Sequence, residues 1–265
     1  MAPAIMRHVQ HTRLLLSRSS ATPLAAWEGT ALVVGCGGIG RALVDALCQK
    51  APGMTVVGTH RPGRSPQLPP GIRTQPLDLC DDRSLADLAT ALAAQPPLRL
   101  VVNTAGLLHD GELQPEKRLA RLRRRHLERS FAVNAFGPIL LAQALEPLLD
   151  RRRPLHLASL SARVGSIGDN RLGGWYAYRA AKAAQNQLLR TLAIEWQRCL
   201  PLACVCLLHP GTTATDLSAP FRSGIPAEQL FTPERAADDL LDVIAGLTPE
   251  LTGGFWAWDG QPIPW

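Results

Sequence analysis

The hydrophobic positions of this chain change period as one reads along it. Residues 30–34 form a short, continuous apolar run, and a cluster of glycines follows. Residues 41–50 then place Ala42, Leu43, Ala46 and Leu47 at helical spacing. The alternation repeats. Strands are predicted at 55–58, 72–77, 98–102, 155–160, 202–208 and 255–258. Helices are predicted at 82–94, where Asp81 or Asp82 can cap, across much of 119–149, at 176–198, and at 233–245 behind Thr232 and Pro233. Gly137-Pro138 is expected to interrupt the 119–149 segment. A Pro-rich loop spans 61–70. Strands separated by crossover helices imply an α/β fold: one doubly wound parallel sheet with helices on both faces. No linker, repeat or low-complexity tract divides residues 29–265, which read as a single domain.

Composition sharpens that reading. Of 265 residues, 46% are hydrophobic and 19% charged, which suits a globular chain able to bury its own core rather than a disordered or fibrous one. No run approaches the roughly 18 consecutive apolar residues of a membrane span. Residues 1–28 stand apart: Arg7, Arg13 and Arg18 precede the first acid, Glu28, and serines cluster at 17, 19 and 20. Such a composition occurs in organelle transit peptides; a loose extension, or a start displaced to Met6, is the plainer reading and the preferred one. The six cysteines form no C-x-x-C pair and have no histidine at zinc-finger spacing. They read as reduced, mostly buried thiols of a reducing, cytoplasmic compartment.

The net charge is +6, and only Lys50, Lys117 and Lys182 are lysines, so arginine dominates the basic residues. The densest cluster, 118–129, reads as the solvated face of a helix. No helix-turn-helix, zinc or aromatic RNA motif accompanies it, so no nucleic-acid role is expected. His60, His109, His156 and His209 lie on separate segments without metal-ligand spacing, so no metal site is expected.

Two stretches carry chemistry. Gly35-Cys36-Gly37-Gly38-Ile39-Gly40 sits between a strand and a helix and contains G-x-G-x-x-G. Glycine there permits a tight turn, close approach of a pyrophosphate, and packing of helix on strand, while the helix N-terminus faces the phosphates. This is a Rossmann-type dinucleotide turn. The second strand is followed by Thr59, His60 and Arg61, with no acid to hold the ribose 2′-hydroxyl of NAD. Arg61, with Arg64 behind it, can instead pair with a 2′-phosphate, so NADP(H) is expected over NAD(H). Farther on, Tyr178 and Lys182 stand at i and i+4 on one helix face. A neighbouring ammonium favours phenolate, so Lys182 is expected to lower the Tyr178 pKa and make it a general acid/base. Trp175 beside Tyr176 either lines a substrate mouth or simply packs.

These blocks, in this order, resemble the short-chain dehydrogenase/reductase family over roughly residues 30–260. The resemblance implies that Asp78 contacts adenine, and that Asn103, Ala105 and Gly106 of Asn103-Thr104-Ala105-Gly106 support the cofactor. It implies that Asn134 completes a proton relay with the catalytic Tyr178 and Lys182. Pro210, Gly211 and Thr212 would receive the nicotinamide, with Thr215 at its carboxamide. Residues 161–182 and 259–265 are most similar to the C-factor-like branch. A homodimer or homotetramer, built on the 119–149 and 176–198 helices, is also implied.

Three departures stand out. The glycine turn is one residue shorter than the family's. Thr104 replaces the second Asn of its Asn-Asn-Ala-Gly. The catalytic serine is displaced: counting back from Gly165 puts Ala162 at the expected place and Ser161 one before it. Ser161 is the candidate to orient a carbonyl oxygen. The leading expectation is an NADPH-dependent carbonyl reductase or alcohol dehydrogenase acting on a small molecule. The alternative is a nucleotide-binding regulatory or signalling protein with little turnover.

Overall fold

The computed structural model describes residues 22–64 and 66–265. The chain runs β1 (Gly29–Val34), α1 (Gly38–Lys50), β2 (Met54–His60), β3 (Arg73–Pro76), α2 (Asp82–Ala93), β4 (Leu98–Asn103), α3 (Arg124–Phe131), α4 (Gly137–Leu145), β5 (Leu155–Leu160), α5 (Tyr176–Cys199) and β6 (Ala203–His209). Two short strands, β7 (Thr212–Thr213) and β8 (Leu230–Phe231), pair with each other before α6 (Pro233–Gly246) and β9 (Gly254–Ala257). The main sheet is wholly parallel, in the order β3-β2-β1-β4-β5-β6-β9.

Alternation along each central strand sends side chains into two separate cores. Ala31 and Val33 of β1, with Cys204, Cys206 and Leu208 of β6, face the layer that contains α1 and α6. Leu32 and Val34, with Val205 and Leu207, face α2, α4 and α5. Both faces are covered, so these strands are apolar throughout rather than alternating. Each buried Leu or Val side chain contributes roughly 1.5–3 kcal/mol. The strand order reverses between β1 and β4, and the crevice opens there at the carboxyl ends of the strands.

The expected long helix over 119–149 is divided. After α3, residues Ala132–Phe136 form a π-helical turn, and the Gly137 amide donates to the Ala132 carbonyl. Pro138 has no amide to give Asn134, so the regular ladder cannot continue through this point. Cys36, Cys204 and Cys206 are buried, but Cys48, Cys80 and Cys199 are exposed, so the expectation of mostly buried thiols holds for only half of them.

Residues 1–21 of the expected extension lie outside the described residues. Trp27 belongs to the α1/α6 core. It stacks on His156 with ring centres 4.9 Å apart, and the Arg99 guanidinium lies 3.5 Å from its ring centre. His156 donates through Nε2 to the Leu247 carbonyl at 2.9 Å and accepts at Nδ1 from Arg99 at 2.7 Å. Burial holds the imidazole neutral, down to about 4. The unfolded imidazole takes up its proton near 6.5, so this stability is present above that pH and lost as pH falls towards 4. Acidification from neutral pH to about pH 5 is expected to cost roughly 2 kcal/mol through this one group. Urea melts of His156→Gln should show a correspondingly smaller loss on acidification than the native chain; an equal loss would sink this account.

Candidate active site

A cleft of about 610 Å³ occupies the crevice. Gly35, Cys36 and Gly37 line it from the turn after β1, Thr59–Arg61 and Arg64 from the end of β2, and Asp78–Cys80 from the turn after β3. Thr104, Ala105 and Gly106 line it from the end of β4. Gly35 adopts φ +86°, a left-handed backbone suited to glycine, and its amide donates to Thr59 Oγ1 at 3.0 Å. A Cβ on Gly40 would run into the Gly35 carbonyl and lie 2.7 Å from Thr104 Oγ1. Gly40 therefore serves the packing of α1 against the turn. Thr104, where the resembled family has Asn, hydrogen-bonds the Gly35 carbonyl at 2.7 Å and so ties β4 to β1. Gly37 faces open space.

The cleft suits a dinucleotide. The turn Gly35-Cys36-Gly37 just ahead of α1 lines it, and Arg61, Arg64 and Arg129 line it against a single acid, Asp78. Arg129 comes from the cluster read as a solvated face; it lines the cleft while staying exposed, its Nε 3.5 Å from Asp110 Oδ2. Asp78 accepts from the Cys80 amide at 2.9 Å, which shapes the turn after β3. Gly38, Ile39, Gly40, Asn103, Tyr178, Lys182, Pro210, Gly211, Thr212 and Thr215 do not line the cleft. Thr215 covers Gly38 instead, so the segment after β7 folds down onto the α1 N-terminus, and Leu217 joins the lining beside Gly106. Asn103 turns inward, giving its Nδ2 to Ser159 at 3.0 Å and accepting the Ala105 amide at 3.2 Å.

Tyr178 and Lys182 lie on successive turns of α5, and both are buried. No side chain of α5 itself caps this helix. Glu116, from the loop before α3, does so from outside: its Oε2 accepts the Ala177 amide at 3.2 Å and its carbonyl accepts the Trp175 amide at 2.5 Å. Trp175 lies 6.3 Å from Tyr178 and 5.1 Å from Phe221, ring centre to ring centre, so it joins an aromatic roof over the site.

The electrostatics differ from the expected pattern. Lys182 Nζ lies 5.8 Å from the Tyr178 ring centre and donates to the Leu160 carbonyl at 2.8 Å and Gln185 Oε1 at 2.9 Å. Both partners are neutral. Burial pushes the lysine amine down to about 7 and pushes the Tyr178 phenol well above its usual value. In this environment desolvation outweighs the lysine's field, and Tyr178 is held as a phenol rather than eased towards phenolate.

Asn134 sits in the π-helical turn. Its Oδ1 accepts the Leu107 amide at 2.9 Å, and its Nδ2 donates to the Leu107 carbonyl at 2.7 Å. It thereby fixes the loop after β4 beside Gly106. Ser161 is a correction. Its hydroxyl donates to Asn186 Oδ1 at 2.7 Å, two turns along α5 beyond Tyr178. The backbone is extended at Ala162, so Ser161 and Ala162 point to opposite sides. Ser161 is thus a buried structural hydroxyl, and the residue on the other side carries no hydrogen-bond donor.

Residues 29–225 match the short chain dehydrogenase family. The chain is 34% identical over 198 residues to 1-hydroxy-2-glutathionyl-2-methyl-3-butene dehydrogenase of Rhodococcus sp. strain AD45, covering 74% of this chain and 81% of that one. It is 35% identical over 140 residues to C-signal of Myxococcus xanthus, covering 52% and 78%. In fold it resembles the NADPH-bound carbonyl reductase from chicken fatty liver, with a TM-score of 0.77, 22% identity, and 89% and 98% of the two chains covered. A parallel seven-stranded sheet with a dinucleotide cleft at its switch point, together with the match over most of the domain, establishes that the chain belongs to the short-chain dehydrogenase/reductase family of NAD(P)-dependent oxidoreductases.

Proposed function

We propose that this protein is an NADPH-dependent carbonyl reductase, running in reverse as an alcohol dehydrogenase, with Tyr178 as its general acid and base. What carries the reading is the burial of Tyr178 and Lys182 on adjacent turns of one helix, beneath an aromatic roof, in a fold whose cleft takes a dinucleotide. When bound, the nicotinamide supplies hydride to the carbonyl carbon or takes it back. Tyr178 gives its phenolic proton to the carbonyl oxygen, or receives it in reverse. Lys182 stands one turn behind the phenol, its Nζ 5.8 Å from the ring centre. Trp175 and Phe221 exclude water and favour substrates with an apolar body. Arg61 and Arg64 receive the 2′-phosphate. The dehydrogenase activity named for the Rhodococcus relative supports a CH–OH/C=O reaction.

Titration of the purified chain with NADPH and NADH, repeated on Arg61→Ala, tests the cofactor assignment. Loss of a charge-assisted pair is expected to weaken NADPH binding by about 10- to 100-fold and to leave NADH binding unchanged. Equal weakening of both would sink the role of Arg61. A second reading, a nucleotide-binding signalling protein with little turnover, is favoured by the turned-away Ser161 and by the likeness to C-signal. Tight NADPH binding without turnover across a carbonyl panel would select it.

A further inference from the structure

We propose that Gln185 is a positioning residue: its side-chain amide holds the Lys182 amine in place and ties it to the floor of the cofactor cleft. For its effect on turnover this inference rests on the function proposed above. Gln185 is fully buried, three residues after Lys182 on the same face of α5. Its Oε1 accepts from Lys182 Nζ at 2.9 Å, and its Nε2 donates to Ser159 Oγ at 2.7 Å. The same Ser159 hydroxyl accepts from Asn103 Nδ2, and Asn103 in turn accepts the amide of Ala105, which lines the cleft. An unbroken run of hydrogen bonds thus links β4, β5 and α5, ending on the lysine.

Lys182 has one other hydrogen-bond acceptor among the described residues. The Leu160 carbonyl, also neutral, accepts at 2.8 Å, and the backbone at Gly165 packs against the lysine stem. Gly106 approaches Nζ from the loop after β4. Tyr178 is the titratable group facing it, and no carboxylate pairs with it among the described residues. An amide can accept from either the ammonium or the free amine. Gln185 therefore orients Lys182 without adding a charge; burial lowers the pH at which the amine titrates, and a changed acceptor at this position moves it further.

The chain's three lysines make this measurable. Full-length protein carrying ¹³C at lysine Cε gives signals from Lys50, Lys117 and Lys182, assigned with Lys50→Arg and Lys117→Arg, and each is titrated by NMR. Gln185→Glu is expected to raise the Lys182 midpoint by about one pH unit or more, and Gln185→Leu to lower it, with Lys50 and Lys117 unmoved. The pH profile of kcat should move with that midpoint, with KM for NADPH little changed. An identical Lys182 midpoint in the native chain and both variants overturns the proposal. So does a midpoint that moves while the kcat profile of an active enzyme stays still. If Gln185→Leu fails to fold, Ser159→Ala, which frees the amide without touching Lys182, decides in its place: a shifted midpoint supports the proposal and an unshifted one overturns it. Shifted midpoints with no turnover in any variant uphold the lysine-holding role and overturn the dehydrogenase reading instead.

Discussion

Tyr178→Phe is expected to lower kcat for carbonyl reduction by ~10²- to 10⁴-fold while leaving NADPH binding unchanged. The substitution removes one oxygen and keeps the ring. The contact of that ring with Trp175 survives, so the aromatic roof and the first turn of α5 stay in place. What disappears is the proton donor. In the native chain the phenol is protonated at neutral pH, as its ordinary value of about 10 already requires, and that is the form that delivers a proton in the reductive direction. Steady-state kinetics on a carbonyl substrate, with cofactor binding measured separately, would check both halves of the expectation. A Phe variant that keeps full kcat would remove Tyr178 from the chemistry.

Ala162→Ser is expected to work in the opposite direction and raise kcat by ~10-fold or more. One preorganised donor to a developing oxyanion is worth on the order of 10²- to 10³-fold in an evolved site, and a donor newly placed in an unadapted one gives less. The position is favourable. Ala162 follows directly on β5 with an extended backbone, and its side chain points away from the Ser161–Asn186 pair. A hydroxyl there faces the side on which Ser161 is absent. The gain should vanish when Tyr178→Phe is added, because a second donor cannot replace a proton source. Unchanged kcat in Ala162→Ser would mean that the native site stabilises its oxyanion by other groups, or that turnover is not its business. Ser161→Ala should instead lower stability, since it leaves Asn186 Oδ1 buried without its donor.

The sheet was legible because its signals are local. The apolar run of β1 switches to helical spacing within a few residues, with glycines marking the change, and an aspartate caps α2. The dinucleotide turn and the Tyr178–Lys182 pair were legible for the same reason, being fixed spacings on one element. What stayed hidden depends on how elements face one another. Arg129 lies among exposed arginines in sequence, and only the seating of α3 beside the β4 loop brings it to the cleft. Ser161 and Ala162 differ by one residue, which at the end of a strand is the difference between two faces. Gln185 reads as one polar residue of a long amphipathic helix until β5 brings Ser159 and Leu160 against it. The desolvation of Tyr178 is hidden in the same way, because spacing reports proximity and says nothing of burial.

The Trp27–Arg99–His156 stack has a practical bearing on how the protein can be handled. Arg99 and His156 stand at the beginnings of β4 and β5, so the chain enters the described fold beneath the sheet, at the pole opposite the cleft. A fluorophore, carrier or solid support joined just ahead of Thr22 would hang from that pole. The protein could then be immobilised with its cofactor entrance facing solution, whereas attachment through the exposed Cys80 would crowd the entrance itself.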